Sequence, residues 1–408
     1  MPSRFHEMHL DVKGLPLEQL EGFGTELSIW ARGVNFWIGD VARQAERVAP
    51  EHWQQAFPEW VSPGLIARCK AVAEAYPNPE DRNPLASWSI HMRLAKDPDR
   101  IAKVRAHVEA GRTSDEAAKA DRQEKSSRWL LAIDVNYFLH RQYFSGAGAE
   151  SAIGVAEWIG RTVQRMQSMG LTDVVCCFDG PNNHRKELTK DWELGYKSKR
   201  SAKEPELAGQ LELVRELLEK QNFACVSVDG YEGDDVQAAY AKQFPGRVTL
   251  FTPDKDARQC LSPNCNILLD VEWFEDETTG EAKPTYKWVT RKSHTEQGCT
   301  YSGVHVEKIS PEQWCDFQAI AGDSADDIQG AKGIGAKIAA SLIQEYGSAE
   351  AAIQAAKDGD ERIKPAKREA LIELEPRLEV TRKLVTMQTN LSVPMNTRIA
   401  CDGAAANG

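Results

Sequence analysis

Acidic side chains recur directly after apolar runs in the middle of this sequence. Seven acids follow four such runs: Asp134, Asp179, Glu232, Asp234, Asp235, Asp254 and Asp256. Asp323 and Asp326 lie farther along, in "AGDSADDIQG". Any one of these residues alone is typical of a surface acid or a helix N-cap. Held together, carboxylates raise one another's pKa values and oppose folding, so a shared site requires compensation.

Short apolar runs alternate with helical stretches from Trp129 onward, and this alternation predicts a parallel α/β sheet flanked by helices. The runs are "WLLAIDVN", "DVVCCFDG", "FACVSVDG", "RVTLFTPDKD" and "NILLDVEW". Ligands of such sheets bind at the carboxyl ends of the strands, where these acids would meet. Mg²⁺ or Mn²⁺ prefers carboxylate oxygens. Two such ions suit phosphodiester hydrolysis, although a carboxylate cluster can also serve simple ion storage.

A glycine-rich stretch supplies one candidate phosphate-binding element. "GAKGIGAKIAASLI" places Gly333 and Gly335 in a tight turn before a helix, with Lys332 and Lys337 beside it. Free backbone N–H groups at a helix start bind phosphate. The stretch therefore fits a helix-hairpin-helix grip on a nucleic-acid backbone. The alternative is a plain loop between two packed helices.

A basic run after Asp179 supplies a second candidate. "HRKELTKDWELGYKSKR" carries Arg185, Lys186, Lys190, Lys197, Lys199 and Arg200. Lysines that enter the acidic site can stabilise charge on a scissile phosphate. The alternative is a solvated helix face, which is what most charge runs form.

The periodicity of the chain predicts five segments. They are an all-α N-terminal domain over residues 1–122, a linker over 123–128, an α/β core over 129–308, a helical region over 309–395, which contains the glycine-rich stretch, and a tail over 396–408. Within the first segment, "WVSPGLIARCKAVAEAY" and "ASWSIHMRLAKD" resemble a helix-turn-helix domain. The alternative is a helical packing or partner-binding domain. In that case His91 is structural, and the tryptophans belong to the core and do not stack on bases: Trp30, Trp37, Trp53, Trp60 and Trp88.

Composition bounds the class of protein. The formal net charge is −11, with 27% charged and 41% hydrophobic residues, which indicates a globular protein and not a simple nucleic-acid coat. No apolar stretch approaches the roughly 18 residues of a membrane span, and the N-terminus lacks a signal-peptide pattern. The nine cysteines are scattered, which predicts reduced thiols and a cytoplasmic location.

Taken together, these motifs resemble the 5′-nuclease superfamily. The segments that carry the resemblance, in order, are "LLAIDVNYFLHRQYF", "VVCCFDGPNNHRKEL", "GYKSKR", "VDGYEGDDV", "TPDKDARQCLSPN" and "DFQAIAGDSADDIQGAKGIGAKIAASLIQEYGS". They are similar to the 5′–3′ exonuclease domain of bacterial DNA polymerase I, to stand-alone phage 5′–3′ exonucleases and to flap endonucleases. The likeness runs from Trp129 to about residue 390, and residues 1–122 lie outside it.

The resemblance implies a PIN-like 5′-nuclease fold with a helical arch near residues 184–203 and a C-terminal helix-hairpin-helix region. It also implies two Mg²⁺ or Mn²⁺ ions. The first-site and shared acids would be Asp134, Asp179, Glu232, Asp234 and Asp235. The acids around the second ion would be Asp254, Asp256, Asp323 and Asp326.

Other site residues follow from the same resemblance. Lys197, Arg200, Arg185 and Asp235 would be catalytic, the first three as part of the arch. Tyr137 and Arg141 would lie near the cleaved nucleotide. Lys332, Gly333, Gly335 and Lys337 would bind duplex DNA, and backbone carbonyls of this hairpin can also hold K⁺ in the family. The chain departs from the family pattern at Pro253, at Asp327 and in extra residues before Tyr196.

These features predict a metal-dependent, structure-selective 5′–3′ exonuclease or flap endonuclease. Its expected partners are DNA with 5′ ends, flaps or nicks, and RNA primers; we expect a monomer of phage or bacterial origin, with no membrane association. One alternative is a DNA-binding adaptor with a vestigial nuclease, against which the complete acid set argues. Another is a PIN-type ribonuclease, against which the glycine-lysine hairpin argues.

Overall fold

The computed structural model describes residues 5–6, 9–10, 17–57, 61–193, 195–199, 205–275 and 282–399, with side chains described from Gly33 onward except at 122, 125, 126, 275 and 282. The chain forms two compact units, Met1–Glu124 and Lys125–Gly408. Each unit is described by itself below. None of the helices in the described part of the chain is both long and apolar enough to cross a membrane.

The first unit is built mainly from helices. Its elements are β1 (Phe5–His6), β2 (His9–Leu10), α1 (Leu17–Val48), α2 (Pro63–Ala75), α3 (Trp88–Leu94), α4 (Arg100–Glu109) and α5 (Ser114–Ser127), the last of which crosses the boundary between the units. Short 3₁₀ turns cover Trp53–Ala56 and Pro79–Asp81. The core contains Phe36, Val72, Tyr76, Ile90, Leu94 and Val104. His91 is also buried, and its Nδ1 lies 3.1 Å from the Ser87 carbonyl oxygen, in agreement with the predicted structural role.

The first unit differs from the sequence prediction in three respects. The residues predicted as a linker are helical up to Ser127, because neither glycine nor proline interrupts the helix that Thr113 and Glu116 cap. Twelve residues, 76–87, separate α2 from α3, whereas a helix-turn-helix uses a turn of three or four. The β1–β2 pair was not predicted, since two-residue strands are too short to show alternation.

The second unit contains a six-stranded sheet. Its strands are β3 (Trp129–Asp134), β4 (Asp173–Cys177), β5 (Ala224–Val226), β6 (Arg247–Phe251), β7 (Cys265–Glu275) and β8 (Ala282–Val289). The order is β5-β4-β3-β6-β7-β8; the first five strands are parallel and β8 is antiparallel. The predicted parallel sheet is confirmed. The predicted hairpin corresponds to β7 and β8, although its turn at Thr279–Gly280 lies outside the described residues.

Helices cover both faces of this sheet. They are α6 (Val135–Gln142), α7 (Ser151–Gln167), α8 (His184–Leu188), α9 (Pro205–Lys220), α10 (Gly233–Gln243) and α11 (Arg291–Gln297). Successive side chains of β3 point to opposite faces of the sheet and so enter two different cores. Leu131 and Ile133 pack with α7 and α9, while Leu130 and Ala132 pack with α10. A short π-helical turn, Tyr143–Ala147, follows α6, and 3₁₀ turns cover Gly148–Glu150 and Lys255–Cys260.

The remaining elements form a helical region with its own core. They are the hairpin β9 (Cys299–Tyr301) and β10 (Val304–Val306), a 3₁₀ turn (Pro311–Gln313), and the helices α12 (Trp314–Ala321), α13 (Ala336–Tyr346), α14 (Ala349–Lys357) and α15 (Pro365–Val385). Trp314, Phe317 and Ile343 are fully buried in this core. The predicted C-terminal helical region is confirmed.

The chain around Thr397 belongs to the core and not to a tail as predicted. The Val174 amide donates to the Thr397 carbonyl at 2.9 Å, and the Ile399 amide donates to the Thr172 carbonyl at 3.2 Å. The Thr397 hydroxyl also donates to the buried Asp173 carboxylate at 2.9 Å. The polar composition of this segment gives no sign of the pairing, because its contacts are with backbone groups of Thr172 and Val174 and with one buried carboxylate.

The Asp173 carboxylate also pairs with the Arg128 guanidinium, so we expect Asp173→Asn to lower the free energy of unfolding by about 3–5 kcal/mol, the usual cost of breaking a buried ion pair. Chemical denaturation measures this loss. Glu361→Gln, at an exposed position, is the control and should change stability by less than about 0.5 kcal/mol. Equal stability of the two variants would contradict the assignment.

Candidate metal centre and nucleic-acid interface

A polar cavity lies at the carboxyl edge of the parallel sheet. Its lining includes Asp134, Asn136, Tyr137, His140, Asp179, Lys197, Glu232, Asp234, Asp254, Lys255, Asp256, Ala325 and Asp326. Seven of the nine acids singled out in the sequence are in this lining. An eighth, Asp323, has a carboxylate oxygen within 4.8 Å of those of Asp256 and Asp326. The structure therefore brings together acids from loops that are up to about 190 positions apart in the chain.

Local hydrogen bonds hold the acids in place. Asp134 ends β3 and caps α6, because its Oδ1 accepts from the Tyr137 amide at 2.9 Å. The Thr252 hydroxyl donates to Asp134 Oδ2 at 3.1 Å. The Gly233 amide, at the start of α10, donates to Asp179 Oδ1 at 3.0 Å. Each carboxylate oxygen has two lone pairs, so the two bonds to Asp134 leave it able to coordinate a cation.

Burial and mutual repulsion raise the pKa values of these acids. The pKa of Asp134 rises to about 7, first because of burial and then because of the charges of Asp179 and Asp254. Burial also raises the pKa of Asp256 to about 7, with Asp254 as the next cause. Burial also raises the pKa of Asp234, and the charge of Asp235 is the next cause. A divalent cation would reverse these shifts by favouring the ionised forms.

One carboxylate oxygen in the cluster is buried without a hydrogen-bond donor among the described residues. Asp234 Oδ1 is buried, and no group in the described part of the chain donates a hydrogen bond to it. A buried, unsatisfied carboxylate oxygen is costly. Together with the all-oxygen donor set, this atom fits a site for a hard divalent cation such as Mg²⁺ or Mn²⁺.

Two lysines reach into the cluster. Lys197 Nζ lies 2.5 Å from Glu232 Oε1 and 3.7 Å from Asp326 Oδ2. Lys255 Nζ lies 2.6 Å from Asp323 Oδ2 and also pairs with Asp256. Burial opposes the charged form of Lys197, but the neighbouring carboxylates outweigh it and raise its pKa. Lys255 was not predicted, although its position between two acids in "TPDKD" is a usable signal.

Arg185 and Asp235 do not lie where the sequence predicted. Both terminal guanidinium nitrogens of Arg185 donate to Asp235 at 2.7 Å, and the two side chains are 2% and 0% exposed. Arg185 also donates to Glu232 and to the Leu384 carbonyl. The backbone amides of Glu232 and Gln388 also donate hydrogen bonds to the carboxylate oxygens of Asp235. We therefore correct the prediction that these two residues are catalytic and that Asp235 is a metal ligand: they form a buried ion pair that positions Glu232.

The segment before Arg200 docks onto the loop that carries the last acids. The Tyr196 hydroxyl donates to Glu232 at 2.8 Å and to Asp326 at 3.2 Å, and the Lys197 amide donates to the Asp326 carbonyl at 3.0 Å. The Lys199 amide donates to Asp327 Oδ2 at 3.0 Å. Asp327 has a φ of +58°, which Asp and Asn tolerate better than other residues with a side chain.

Tyr196 and Asp327 were not predicted as site residues. The described part of the predicted arch contains one five-residue helix, α8, followed by turns. Arg200 lies outside the described residues, so its predicted catalytic role stays a prediction.

The glycine-rich loop precedes α13, as predicted. Gly333 has a φ of +70°, which favours glycine, and Gly335 is the residue immediately before the helix. Lys332 and Lys337 are exposed beside it. Two basic side chains of α15 cover the loop carbonyls: those of Arg377, which donates to Gln329 and Gly330, and Lys367, which donates to Gly333.

The K⁺ site that the family resemblance suggests at the backbone carbonyls of this hairpin stays a prediction. At one of these carbonyls, that of Gly333, the Lys367 ammonium already lies against the oxygen, with Nζ at 2.5 Å, and supplies the positive charge itself.

Tyr137 and Arg141 lie on α6 next to the cavity. Tyr137 is 38% exposed and belongs to the cavity lining. Arg141 is outside the lining; it pairs with Asp270 at 3.1 Å, and its guanidinium lies 5.1 Å from the Phe138 ring centre. His140, which the sequence did not single out, is in the lining.

We expect divalent ions to stabilise the protein more at pH 8 than at pH 5.5. The pKa values of Asp134 and Asp256 are about 7 when folded, above the ordinary 3.8, so the metal-free fold loses stability as pH rises from about 4 to 7. Below pH 7 a cation must also displace protons. Thermal unfolding with Mn²⁺ and with EDTA measures the shift in Tm that the ion produces. The control is Asp134→Asn/Asp256→Asn, in which this shift should depend less on pH. Equal Mn²⁺ shifts at both pH values would contradict the prediction.

Two family models match the second unit. The model of the 5′-3′ exonuclease N-terminal, resolvase-like domain matches residues 129–292, and that of the 5′-3′ exonuclease C-terminal SAM fold matches residues 309–403. Residues 1–128 lie outside both matches. The two matched segments contain all nine acids.

Individual proteins of known name are similar to parts of this chain. DNA polymerase I of Rhizobium leguminosarum is 31% identical over 52% of this chain and 19% of its own length. The 5′-3′ exonuclease of Bacillus subtilis is 29% identical over 51% of this chain and 64% of its own length. A structure of T5 5′-exonuclease with bound zinc has 23% identity and a TM-score of 0.47, over 64% of this chain and 90% of that one. The chain spans less than a third of the polymerase relatives it matches. Through residues 129–403, the chain belongs to the 5′-nuclease superfamily.

Proposed function

We propose that this protein is a metal-dependent, structure-selective 5′–3′ nuclease that hydrolyses phosphodiester bonds of DNA. The observation that carries the proposal is the convergence of eight carboxylates on one cavity, next to Lys197. Such a site binds cations that in turn bind phosphate. Family membership and the names of the relatives, DNA polymerase I and 5′-3′ exonuclease, support the same reaction class.

The eight acids divide into two groups that would each hold one Mg²⁺ or Mn²⁺ ion. The first group is Asp134, Asp179, Glu232 and Asp234, and the second is Asp254, Asp256, Asp323 and Asp326. Ions bound there would activate water and neutralise charge on the phosphate. Asp235 is not a member of either group, because its carboxylate forms an ion pair with Arg185.

Lys197 is the side chain best placed to contact the scissile phosphate. It lines the cavity and is held there by its own backbone bond to Asp326 and by the charge of Glu232. A fixed ammonium stabilises the extra negative charge of the transition state without reorganisation. Tyr196 supports Lys197 by bonding to the same two acids.

The loop before α13 is suited to hold the duplex beside the cavity. Its carbonyl groups are turned to Arg377 and Lys367, and Lys332 and Lys337 are exposed beside the N-terminus of α13. Amides and lysines of this kind bind phosphates without reading sequence. The substrates we propose are therefore DNA with 5′ ends, flaps or nicks, including ends that carry RNA primers.

The chemistry of the cysteines supports a reducing, cytoplasmic setting. All eight cysteines in the described part of the chain are unpaired. Disulfides are rare in that compartment and common in secreted proteins.

We expect Lys197→Met to lower the single-turnover cleavage rate of a 5′-labelled flap duplex by about 10²–10³-fold with Mg²⁺, because an electrostatic contact to the phosphate is lost. Lys190→Met is the matched control: this lysine lies in the same segment, is 60% exposed and is absent from the cavity lining. The cleavage rate of Lys190→Met should stay within about threefold of the wild-type rate, because this exposed lysine can lose only a minor contact with phosphate.

Absence of cleavage by the wild-type protein with both Mg²⁺ and Mn²⁺ would refute the proposed function. Equal losses in the two lysine variants would refute the role of Lys197 while leaving the nuclease assignment intact.

Duplex affinity should be the same in KCl and NaCl of equal ionic strength, because Lys367 supplies the charge at the Gly333 carbonyl. Lys367→Met should weaken binding in NaCl, since the loop carbonyl loses its partner. Fluorescence anisotropy with a labelled nicked duplex measures both effects, and Lys383→Met, an exposed lysine on the same helix, is the control. A marked K⁺ requirement in the wild-type protein would contradict this prediction.

A further inference from the structure

The exposed face of α1 forms an apolar stripe. Val34, Trp37, Val41 and Val48 are 43%, 50%, 48% and 75% exposed, although all are large apolar residues. Trp37 was expected in the core of the first unit, and its exposure corrects that expectation. A run of such residues along one helix face is typical of an interaction surface.

The spacing of the stripe follows a heptad register over most of the helix. Counting from Leu20, alternating steps of three and four residues reach Leu20, Phe23, Leu27, Trp30, Val34, Trp37, Val41, Gln44 and Val48. Eight of these nine positions are apolar. A repeat of 3.5 residues sustained over four heptads is the pattern of paired helices, whereas a helix lying on its own domain follows 3.6.

The opposite face of α1 is already used within the first unit. Phe36 and Ala42 are buried, and a Cβ added to Gly39 would lie 2.2 Å from the Cys69 carbonyl oxygen of α2. The helix therefore packs closely on α2 through one face and carries the heptad stripe on another.

We infer that α1 pairs with α1 of a second copy of this chain. A two-fold axis supplies an identical heptad stripe without any other component. In this register Leu20, Leu27, Val34, Val41 and Val48 take the first heptad position, and Phe23, Trp30, Trp37 and Gln44 take the fourth. This inference replaces the expectation of a monomer and does not depend on the proposed nuclease function.

The dimensions and charges of the stripe suit such a dimer. From Leu20 to Val48 the helix is about 42 Å long, and Val34, Trp37, Val41 and Val48 leave its second half with an open apolar face. In a parallel pair, the flanking Glu26, Asp40 and Arg47 would face Ala31, Ala45 and other uncharged positions of the partner. Asp40 is also neutralised by Arg82 at 2.6 and 2.8 Å. No like charges would oppose each other.

Sedimentation equilibrium of the full chain tests the inference. The wild-type protein should have twice the 45.4 kDa chain mass at micromolar concentration. Val34→Glu/Val41→Glu should reduce the mass to that of one chain, because four carboxylates would be buried in the pair. Leu85→Glu is the matched control, since Leu85 is an apolar residue of the same unit, 69% exposed and outside α1, and its mass should stay doubled.

A single-chain mass for the wild-type protein, a mass above two chains, or a doubled mass in the Val34→Glu/Val41→Glu protein would overturn the inference. If that variant fails to fold by circular dichroism, Gln44→Leu decides, because it completes the heptad stripe. A dissociation constant at least tenfold lower would support the pairing, and an unchanged constant would overturn it.

Discussion

Like-charge repulsion at the carboxyl edge of the sheet is the constraint on which the rest of the second unit depends. A parallel sheet brings the ends of β3, β4 and β6 to one edge, and in this chain each end carries an acid. Without cations, burial and mutual repulsion hold the pKa values of Asp134 and Asp256 near 7. The acidic cluster lowers the stability of the metal-free fold. This loss has a physical reason if the cluster binds cations and the cations perform the chemistry.

The protein offsets part of this repulsion with its own positive charges, and these charges also connect its parts. Arg185 on α8 forms an ion pair with Asp235 and donates to the last turn of α15. The same buried guanidinium also forms an ion pair with Glu232. Lys197 and Lys255 form ion pairs with the clustered acids Glu232 and Asp323. Removing any of these cations would affect metal binding as well as stability, because the same carboxylates serve both.

Sequence reasoning predicted the sheet and singled out nine acids, of which the structure brings eight together. Hydrophobic periodicity and position at a strand end are local features of the sequence, and in a parallel sheet they lead to one arrangement. Sequence reasoning failed for Asp235, since neighbouring carboxylates in "GDD" look alike although only Asp234 lines the cavity. Tyr196, Lys255 and Asp327 were missed because their roles depend on contacts between distant segments. The exposure of Trp37 was missed for a similar reason: the heptad pattern shows a stripe, but only the packing of α2 shows which face remains open.

The most direct test of the central claim is to count the divalent ions that the cluster binds. Titration of the metal-free protein with Mn²⁺, followed by electron paramagnetic resonance of the free ion, gives the number of sites without relying on a substrate. The account predicts two ions per chain, one of which is lost in Asp234→Asn while both remain in Glu361→Gln. Absence of specific Mn²⁺ binding at pH 8 would contradict the account, because the converging carboxylates would then have no compensating ligand.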